Sequence, residues 1–424
     1  MKAVILATEK DFIFDGKKPV ALIKVCGVSL ITRILSSLRA SRISEVLIVL
    51  GFGEEEIRSM LKNGEEIGLK LYYLGTKGEH GFLKDFLNDD IIVISVDTVI
   101  DKEFIEELIK IEKDVSCYLN RRPVGIYKLS KENSMLLYEY LLSKRIREMF
   151  EKIEELQISR LDVSNMRVEH LGLKRVVYPI CVKIEDRRSI EDAKRRLIFR
   201  TQKGLHFTSY INKPIEDHII YYIADIPWIT PNRITVLMNL FAFTIAALFL
   251  LGHLKIAAIL AYMVGILDGL DGKLARARGI LTKLGYIEHT FDMLYEQAWY
   301  VCFALSLHFL ENSYLPLVLG LCMLLADSFV RHCYMQFKET LGRALTAYTN
   351  FDRLFARVDG RRNMYVLYMI LFSWLDRPLY AMYAMLTHSS VTAVVYAVRA
   401  VQHMSTADKT EGLKGFLKLV GKPG

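Results

Sequence analysis

Long apolar runs fill the second half of this chain, and they constrain its fold more than any other feature. Charged residues are spread throughout the chain before residue 229, as in a soluble domain. A soluble helical protein would not need so many successive apolar runs. The sequence therefore predicts one soluble and one membrane domain. Six windows of about 20 residues predict membrane-spanning helices, at roughly 232–252, 255–276, 287–310, 314–337, 362–376 and 378–403.

Basic residues are concentrated in two of the loops between these predicted spans. The loop 277–286 and the longer loop 338–363 hold most of them, whereas the connections on the opposite side hold few. The positive-inside rule therefore predicts a multi-pass protein of the cell membrane, with the N-terminal domain and both loops in the cytosol. Because the basic residues lie beside apolar spans, we expect no nucleic-acid partner. The six cysteines form no CxxC pair and no zinc-type spacing, which fits a reducing compartment.

The N-terminal part alternates between strand-like and helix-like patterns. Segments such as MKAVILA, SEVLIVL and DDIIVISVD predict buried strands of a Rossmann-like sheet. We expect an α/β domain over 1–200, a juxtamembrane linker with an interfacial helix over 201–228, and an all-α, six-helix transmembrane domain over 229–404. The remaining residues, 405–424, form a basic tail that either rests on anionic lipid or stays solvated.

Four carboxylates lie at the ends of the second and third predicted spans. Asp268 and Asp271 are three residues apart, and Glu288 and Asp292 are four apart, so each pair shares one helix face. A short loop joins the two ends, so the pairs can converge on a functional site. Oxygen ligands without His or Cys favour Mg²⁺, with Mn²⁺ or Ca²⁺ as substitutes, and the combined charge favours two ions. An ion channel or transporter, the alternative class, would place acids at several depths.

Small residues and an arginine accompany the first acid pair. Gly269 and Gly272 leave room for a phosphate or nucleotide to approach the backbone, and Ala275 does so more weakly. Arg276 lies about one helical turn after Asp271, where a guanidinium could bind a phosphate. The stretch therefore predicts a phosphate-binding surface beside the acids.

The complete pattern resembles the signature of the CDP-alcohol phosphotransferase family, D-x-x-D-G-x-x-A-R followed by G-x-x-x-D-x-x-x-D. Gly285 precedes the third acid by three positions rather than four, so either the gap is one residue shorter or Leu284 occupies the glycine position. The segment T230-P231-N232-R233-I234-T235 is similar to the family's T-P-N-x-x-T. The matching motif residues are Asp268, Asp271, Gly272, Ala275, Arg276 and Asp292, with Glu288 in place of the third aspartate.

This resemblance implies an enzyme of phospholipid or polar-osmolyte synthesis that transfers a substituted phosphoryl group from a CDP-alcohol to an acceptor hydroxyl and releases CMP. Asp268, Asp271 and Glu288 would be metal ligands. Asp292 would be the general base and could also contact a metal. The family also implies a homodimer. The residues expected to line the CDP are Gly272, Ala275, Arg276, Asn232 and Thr235.

The acceptor is less constrained by the sequence. A basic loop suits a phosphorylated polar alcohol such as inositol phosphate or glycerol phosphate. Positive-inside topology and lipid headgroups would account for the same residues equally well. The predicted acceptor-binding residues are Arg331, Lys338, Arg361 and Arg362.

The first 200 residues resemble sugar-phosphate nucleotidyltransferases of the cytidylyltransferase type. That family has a glycine-rich first loop that carries an arginine, whereas Thr8–Asp15 here contains three acids, which would repel a triphosphate. Asp97 remains at the position of a metal ligand. We therefore expect an inactive domain that holds substrate or supports a dimer. The alternative is a bifunctional enzyme whose first half makes the CDP-alcohol from CTP.

The overall layout is similar to that of bifunctional enzymes that join an inositol-phosphate cytidylyltransferase to a di-inositol phosphate phosphate synthase. The linker K203-G-L-H-F-T-S-Y-I-N-K-P214 is similar to theirs. This similarity favours inositol phosphate as the acceptor.

Overall fold

The computed structural model divides into two compact units. The first unit comprises Met1–Lys203, Ile220–Trp228 and Ala275–Ile280, and the second comprises Gly204–Ile219, Ile229–Leu274 and Leu281–Gly424. The structure describes residues 1–9, 17–75, 81–156, 158–170, 175–202, 207–280 and 288–420, with the backbone alone for several of them, including 288–289 and 411–420.

The first unit is built on a seven-stranded mixed sheet in the described residues, with strand order β10-β8-β9-β6-β1-β4-β5. β6, β1, β4 and β5 run parallel, whereas β9 is antiparallel to both of its neighbours. Three two-stranded pairs, β2–β3, β7–β13 and β11–β12, complete the strands. The strands are β1 (Lys2–Ala7), β2 (Lys24–Val25), β3 (Val28–Ser29), β4 (Glu45–Leu50), β5 (Lys70–Leu74), β6 (Ile91–Ser95), β7 (Thr98–Ile100), β8 (Val115–Leu119), β9 (Arg122–Leu129), β10 (Ser159–Asp162), β11 (Val168–His170), β12 (Arg175–Val177) and β13 (Cys181–Lys183).

Helices connect these strands. Several begin at a side chain that accepts a backbone N–H, such as Ser29 before α1, Asp101 before α4 and Asp186 before α8. β6 is buried along its whole length, as expected for an interior strand with helices on both faces. The predicted α/β architecture is therefore confirmed. The helices are α1 (Leu30–Ala40), α2 (Glu54–Leu61), α3 (Leu83–Leu87), α4 (Lys102–Lys110), α5 (Lys131–Met135), α6 (Tyr138–Leu142), α7 (Ile146–Glu155) and α8 (Arg187–Arg200).

The second unit is helical. Trp299, which is fully buried, donates a hydrogen bond from Nε1 to the carbonyl of Ala242 at 2.7 Å and fixes α13 against α10. Tyr300, Phe303 and Phe249 extend the same apolar core. The remaining helices, of which α9 and α12 extend into the first unit, are α9 (Phe207–Ile223), α10 (Pro231–Leu250), α11 (Leu254–Leu267), α12 (Gly269–Arg278), α13 (Glu288–Glu311), α14 (Leu315–Leu341), α15 (Asn350–Phe355), α16 (Arg362–Trp374) and α17 (Pro378–Val420).

Three described helices are long and apolar enough to span a membrane: Pro231–Leu250, Leu315–Leu341 and Pro378–Thr410. The prediction of six spans is thus confirmed only in part. The second predicted span is divided at Asp268 into α11 and α12, which have 14 and 10 residues. α16 has only 13 residues, and α13 begins with the acids of the motif.

Candidate active site

The first acid pair lies where the apolar helix α11 ends. Asp268 follows the last residue of α11 and keeps α-helical dihedral angles, and α12 begins immediately afterwards at Gly269. Asp271 lies in the first turn of α12, where free backbone N–H groups and the helix dipole stabilise a negative charge. The helix junction therefore holds two carboxylates within one turn of each other.

Asp271 is nearly fully buried, at 4% exposure, and is held from two directions. The Thr235 hydroxyl donates a hydrogen bond to its Oδ2, and the Gly272 N–H donates to its Oδ1. Thr235 lies one turn into α10, whose start is fixed by the capping hydroxyl of Thr230 and by Pro231 at the first position. The T-P-N-x-x-T segment therefore orients a motif acid.

Asp268 contacts two other helices of the second unit. Nη2 of Arg362, at the start of α16, donates to Asp268 Oδ2 at 2.8 Å, and the Tyr295 hydroxyl donates to Oδ1 at 3.3 Å. Arg362 also donates to the Tyr295 hydroxyl. Because Tyr295 follows Asp292 by three residues on α13, these contacts connect the first acid to the helix that carries the second pair.

The second acid pair lies in the first two turns of α13. Asp292 is 8% exposed. The side chain of Glu288 and the whole of Leu284 and Gly285 lie outside the part of the chain that the structure describes, so their predicted roles and register stay predictions. Among the described residues no three His, Cys, Asp or Glu side chains are grouped closely enough to hold a metal ion. The motif acids themselves offer only carboxylate oxygens, the donors that Mg²⁺ prefers.

The residues predicted to line the CDP have different surroundings. Gly272 and Thr235 both contact Asp271, and Asn232 is exposed at the start of α10. These three residues therefore lie beside one motif acid or on the helix that positions it.

The remaining two CDP candidates follow on α12. Ala275 is half-buried. Arg276 belongs to the first unit, where its Nε donates a hydrogen bond to the carbonyl of Thr201 at 2.8 Å. In the structure this guanidinium is therefore engaged by backbone.

Arg331 and Arg362, two of the predicted acceptor-binding residues, share the carboxylate of Glu296. Arg331 on α14 pairs with Asp327, at 2.8 Å, and with Glu296. Arg362 pairs with Asp268 and, at 3.1 Å, with Glu296. Glu296 lies four residues after Asp292, so the helical spacing alone could have marked it as part of the site.

The other two acceptor candidates are not members of this group of ion pairs in the part of the chain that the structure describes. Lys338 is exposed near the end of α14. Arg361 precedes α16 and pairs with Asp359, a buried carboxylate that also accepts a hydrogen bond from the Tyr396 hydroxyl. Arg361 is therefore held by its own loop.

Lys273 is a buried residue whose role the sequence reasoning missed. It lies on α12 two residues after Asp271, and its side chain is only 2% exposed. Its ammonium pairs with Glu216 at 2.9 Å and with Asp217 at 2.6 Å, both on α9. A Cβ at Gly269 would lie only 3.4 Å from the Glu216 carboxyl carbon. The N–K–P–x–E–D sequence of α9 was the available signal.

In the first unit, Asp97 follows strand β6 and is 7% exposed. Burial raises the pKa of this carboxyl, and Lys183, whose Nζ lies 3.7 Å away, lowers it in part. Most of the acidic Thr8–Asp15 loop lies outside the described residues, as does the start of the linker at residues 203–206.

Comparison with known proteins identifies a family to which part of this chain is similar. Residues 228–395, which include the helix junction and all of α13, match the model of the CDP-alcohol phosphatidyltransferase family. This part of the chain is a CDP-alcohol phosphatidyltransferase domain. Residues 228–395 are therefore assigned to the CDP-alcohol phosphotransferase class, and the channel alternative loses its support.

Relatives of this chain extend the resemblance beyond residues 228–395. The Bifunctional IPC transferase and DIPP synthase of Aquifex aeolicus is 23% identical over 90% of this chain and 93% of its own length. The protein of the same name from Thermococcus kodakarensis is 28% identical over 59% of this chain and 56% of its own length, which is less than two thirds of that relative. The Bifunctional protein GlmU of Clostridioides difficile is 29% identical over 24% of this chain and 23% of its own length.

Proposed function

We propose that the chain transfers a substituted phosphoryl group from a CDP-alcohol to the hydroxyl of an acceptor alcohol and releases CMP. The observation that carries this proposal is the α11–α12 junction, which holds Asp268 and Asp271 one turn apart within the matched domain. Attack by the acceptor oxygen forms a new phosphodiester bond while the bond to the CMP oxygen breaks. The resulting products are CMP and the joined alcohol.

The motif acids fit divalent cations because their donor atoms are oxygens. Asp268, Asp271, Glu288 and Asp292 would hold Mg²⁺, and the four negative charges favour two ions, with Mn²⁺ or Ca²⁺ as substitutes. When bound, the cations would neutralise the negative charge of the pyrophosphate. The chain's own contribution is orientation, because Thr235, Arg362 and Tyr295 contact the first pair.

Asp292 is the proposed general base. It lies one turn after Glu288 on α13 and is nearly fully buried, so water is largely excluded from its carboxylate. A carboxylate there would accept the proton of the acceptor hydroxyl as the oxygen attacks.

The donor would lie against the small residues of the motif. Because Gly272 and Ala275 have no side chain or a short one, the CDP phosphates could approach the backbone of α12. Arg276 would pair with one of these phosphates after leaving the Thr201 carbonyl. Asn232 and Thr235 are weaker candidates for the edge of the nucleotide.

A phosphorylated polar alcohol, and inositol phosphate in particular, is the proposed acceptor. Two observations support it. Lys338 is an exposed cation of the second unit, and Arg331, Arg361 and Arg362 would bind the phosphate after leaving their carboxylate partners. Relatives over most of the chain bear the name IPC transferase and DIPP synthase. Offering inositol phosphate, glycerol phosphate and free inositol in parallel, and identifying the phosphodiester by ³¹P NMR, tests the acceptor. Product from free inositol alone would contradict the phosphate requirement.

We propose that the N-terminal unit does not make the CDP-alcohol. The three acids of the Thr8–Asp15 loop support this, since they would repel the triphosphate of CTP. Incubating the full-length protein with CTP and sugar phosphates tests the proposal. Release of pyrophosphate would overturn it in favour of a bifunctional enzyme.

The proposed arrangement in the cell is a multi-pass membrane protein, as a homodimer, with six spans and the N-terminal unit and active site in the cytosol. The positive-inside distribution of basic residues supports this orientation. Protease accessibility of the N-terminal unit in sealed inverted vesicles, compared with right-side-out vesicles, tests it. Cleavage only in right-side-out vesicles would contradict a cytosolic location.

A further inference from the structure

One carboxylate of the second unit is shared by two arginines. Glu296 Oε1 lies 3.1 Å from Arg362 Nη1, and its Oε2 pairs with Arg331. Glu296 and Arg362 are 7% and 13% exposed, so neither charge can be compensated by bulk water. Such a buried charge requires a partner in the protein.

These contacts form a continuous row of alternating charges. In order, the row is Asp268, Arg362, Glu296, Arg331 and Asp327, and it connects the α11–α12 junction with α16, α13 and α14. It contains three acids and two bases, so its formal charge is −1. The row begins at a motif acid and extends away from the motif.

We propose that Glu296 is a positioning residue that limits the attraction of Arg362 for Asp268. This inference rests on the proposed function, because it concerns an acid that would hold the metal. Arg362 contacts both Asp268 and Glu296, so its single positive charge is shared between two carboxylates. Sharing leaves Asp268 oriented by the guanidinium and still able to bind a divalent cation.

Removing the charge of Glu296 would leave Arg362 with Asp268 as its one anionic partner in this row. The guanidinium would then compete more strongly with a cation for the Asp268 oxygens. Removing Arg362 has the opposite consequence, because Asp268 loses its competing cation and its orientation together. The two substitutions are therefore expected to change metal affinity in opposite directions.

The test is a titration of the full-length protein with Mn²⁺ in the absence of substrates, with free Mn²⁺ measured by electron paramagnetic resonance. Glu296→Gln should raise the Mn²⁺ dissociation constant by about tenfold, the scale of one charge-assisted contact. Arg362→Gln should lower the dissociation constant while it also reduces turnover. In the double variant the effect of Glu296→Gln should disappear, because Glu296 acts through Arg362.

Asp327→Asn is the matched control. Asp327 is also buried and also pairs with Arg331, but among the described residues it forms no ion pair with Arg362. This variant should leave the Mn²⁺ dissociation constant within about twofold of wild type. An equal rise in Asp327→Asn and Glu296→Gln would show a general electrostatic or structural effect and overturn the proposal.

An unchanged Mn²⁺ affinity in folded Glu296→Gln would also overturn it. Should that variant fail to fold, Arg362→Gln decides the question, because Mn²⁺ binding equal to or weaker than wild type contradicts competition at Asp268. Failure of the proposed function looks different. In that case the wild-type protein itself would bind no Mn²⁺ and release no CMP.

Discussion

The hydroxyl of Thr235 on α10 donates a hydrogen bond to the carboxylate of Asp271 on α12. Thr235 is one turn into its helix and Asp271 is in the first turn of its own, so the contact joins the starts of two helices. The carbonyl of Pro231 lies 3.2 Å from the same hydroxyl oxygen, but the hydroxyl has a single proton, and the closer, charged carboxylate is its acceptor. The hydroxyl proton of Thr235 is therefore committed to orienting the acid.

Thr235→Val should reduce turnover by about tenfold or more, because a hydrogen bond to a charged group is worth about 1.5–3 kcal/mol. Valine keeps the shape of threonine but cannot donate. Thr235→Ser keeps the donor and should remain close to wild type. The rate of CMP release measures both variants, and equal losses in the two would show that the methyl group matters rather than the hydrogen bond.

Asp292→Asn should lower the rate of CMP release by about 10²–10⁴-fold, the contribution typical of a general base. The amide has nearly the same size as the carboxylate but cannot accept the acceptor's proton. Asp376→Asn, at an exposed carboxylate paired with Lys255, is the matched control and should retain full activity. Full activity of Asp292→Asn would refute the assignment of the base.

Lys273→Met should destabilise the folded protein by about 3–5 kcal/mol, because it removes the cation that pairs with the buried carboxylate of Glu216, whereas Asp217 keeps its pair with Lys213. Lys255→Met removes a lysine from an exposed pair with Asp376 and should cost only about 0–1 kcal/mol. Thermal unfolding of both variants in the same detergent measures the difference. Similar melting temperatures would contradict the role of Lys273 in fastening α9 to α12.

Because of Asp352 on α15, we expect the free energy of unfolding to decrease at acid pH. Burial raises the pKa of this carboxyl, but hydrogen bonds from Arg399, Thr349 and His403 outweigh burial and lower the pKa from 3.8 to about 2. Because the pKa is lower in the folded state, ionised Asp352 increases the free energy of unfolding. This contribution is fully present above the pKa of the unfolded state and is lost as the pH falls through the pKa of the folded state. The expected loss between about pH 4 and pH 2 is about 2 kcal/mol.

The measurement for Asp352 is the unfolding midpoint of wild type and Asp352→Asn across that pH range. Other acids titrate there as well, so the difference between the two proteins is the relevant quantity. The difference in unfolding midpoint between wild type and Asp352→Asn should decrease as the pH falls. A constant difference would contradict the depressed pKa.

Much of the fold could be predicted from local pattern. Buried strands such as β6 and the α/β order of the first unit follow from apolar runs and turn residues. The division at Asp268 could not be read from hydropathy, because windows of about 20 residues average over a single helix break. The sequence therefore predicted an unbroken second span where the structure has two shorter helices.

The relative positions of residues within one motif could be predicted from their spacing, whereas contacts between helices could not. The spacing of Asp268 and Asp271 indicated a shared face. Nothing local indicated that Arg362 would contact Asp268, since 94 residues separate them. Glu296 was not among the predicted site residues, although it lies four residues after Asp292, and only the contacts of α13 with α14 and α16 identified its two arginine partners.

The most direct test of the account is CMP release by the purified full-length protein in lipid bilayers. CDP-diacylglycerol, CDP-archaeol, CDP-inositol and CDP-glycerol would each be offered with and without Mg²⁺ and with and without inositol phosphate. We expect Mg²⁺-dependent release of CMP from at least one combination, and we expect that release to be lost when Asp268 and Asp271 are both changed to Asn. No CMP from any combination, while a known CDP-alcohol phosphotransferase is active in the same bilayers, would contradict it.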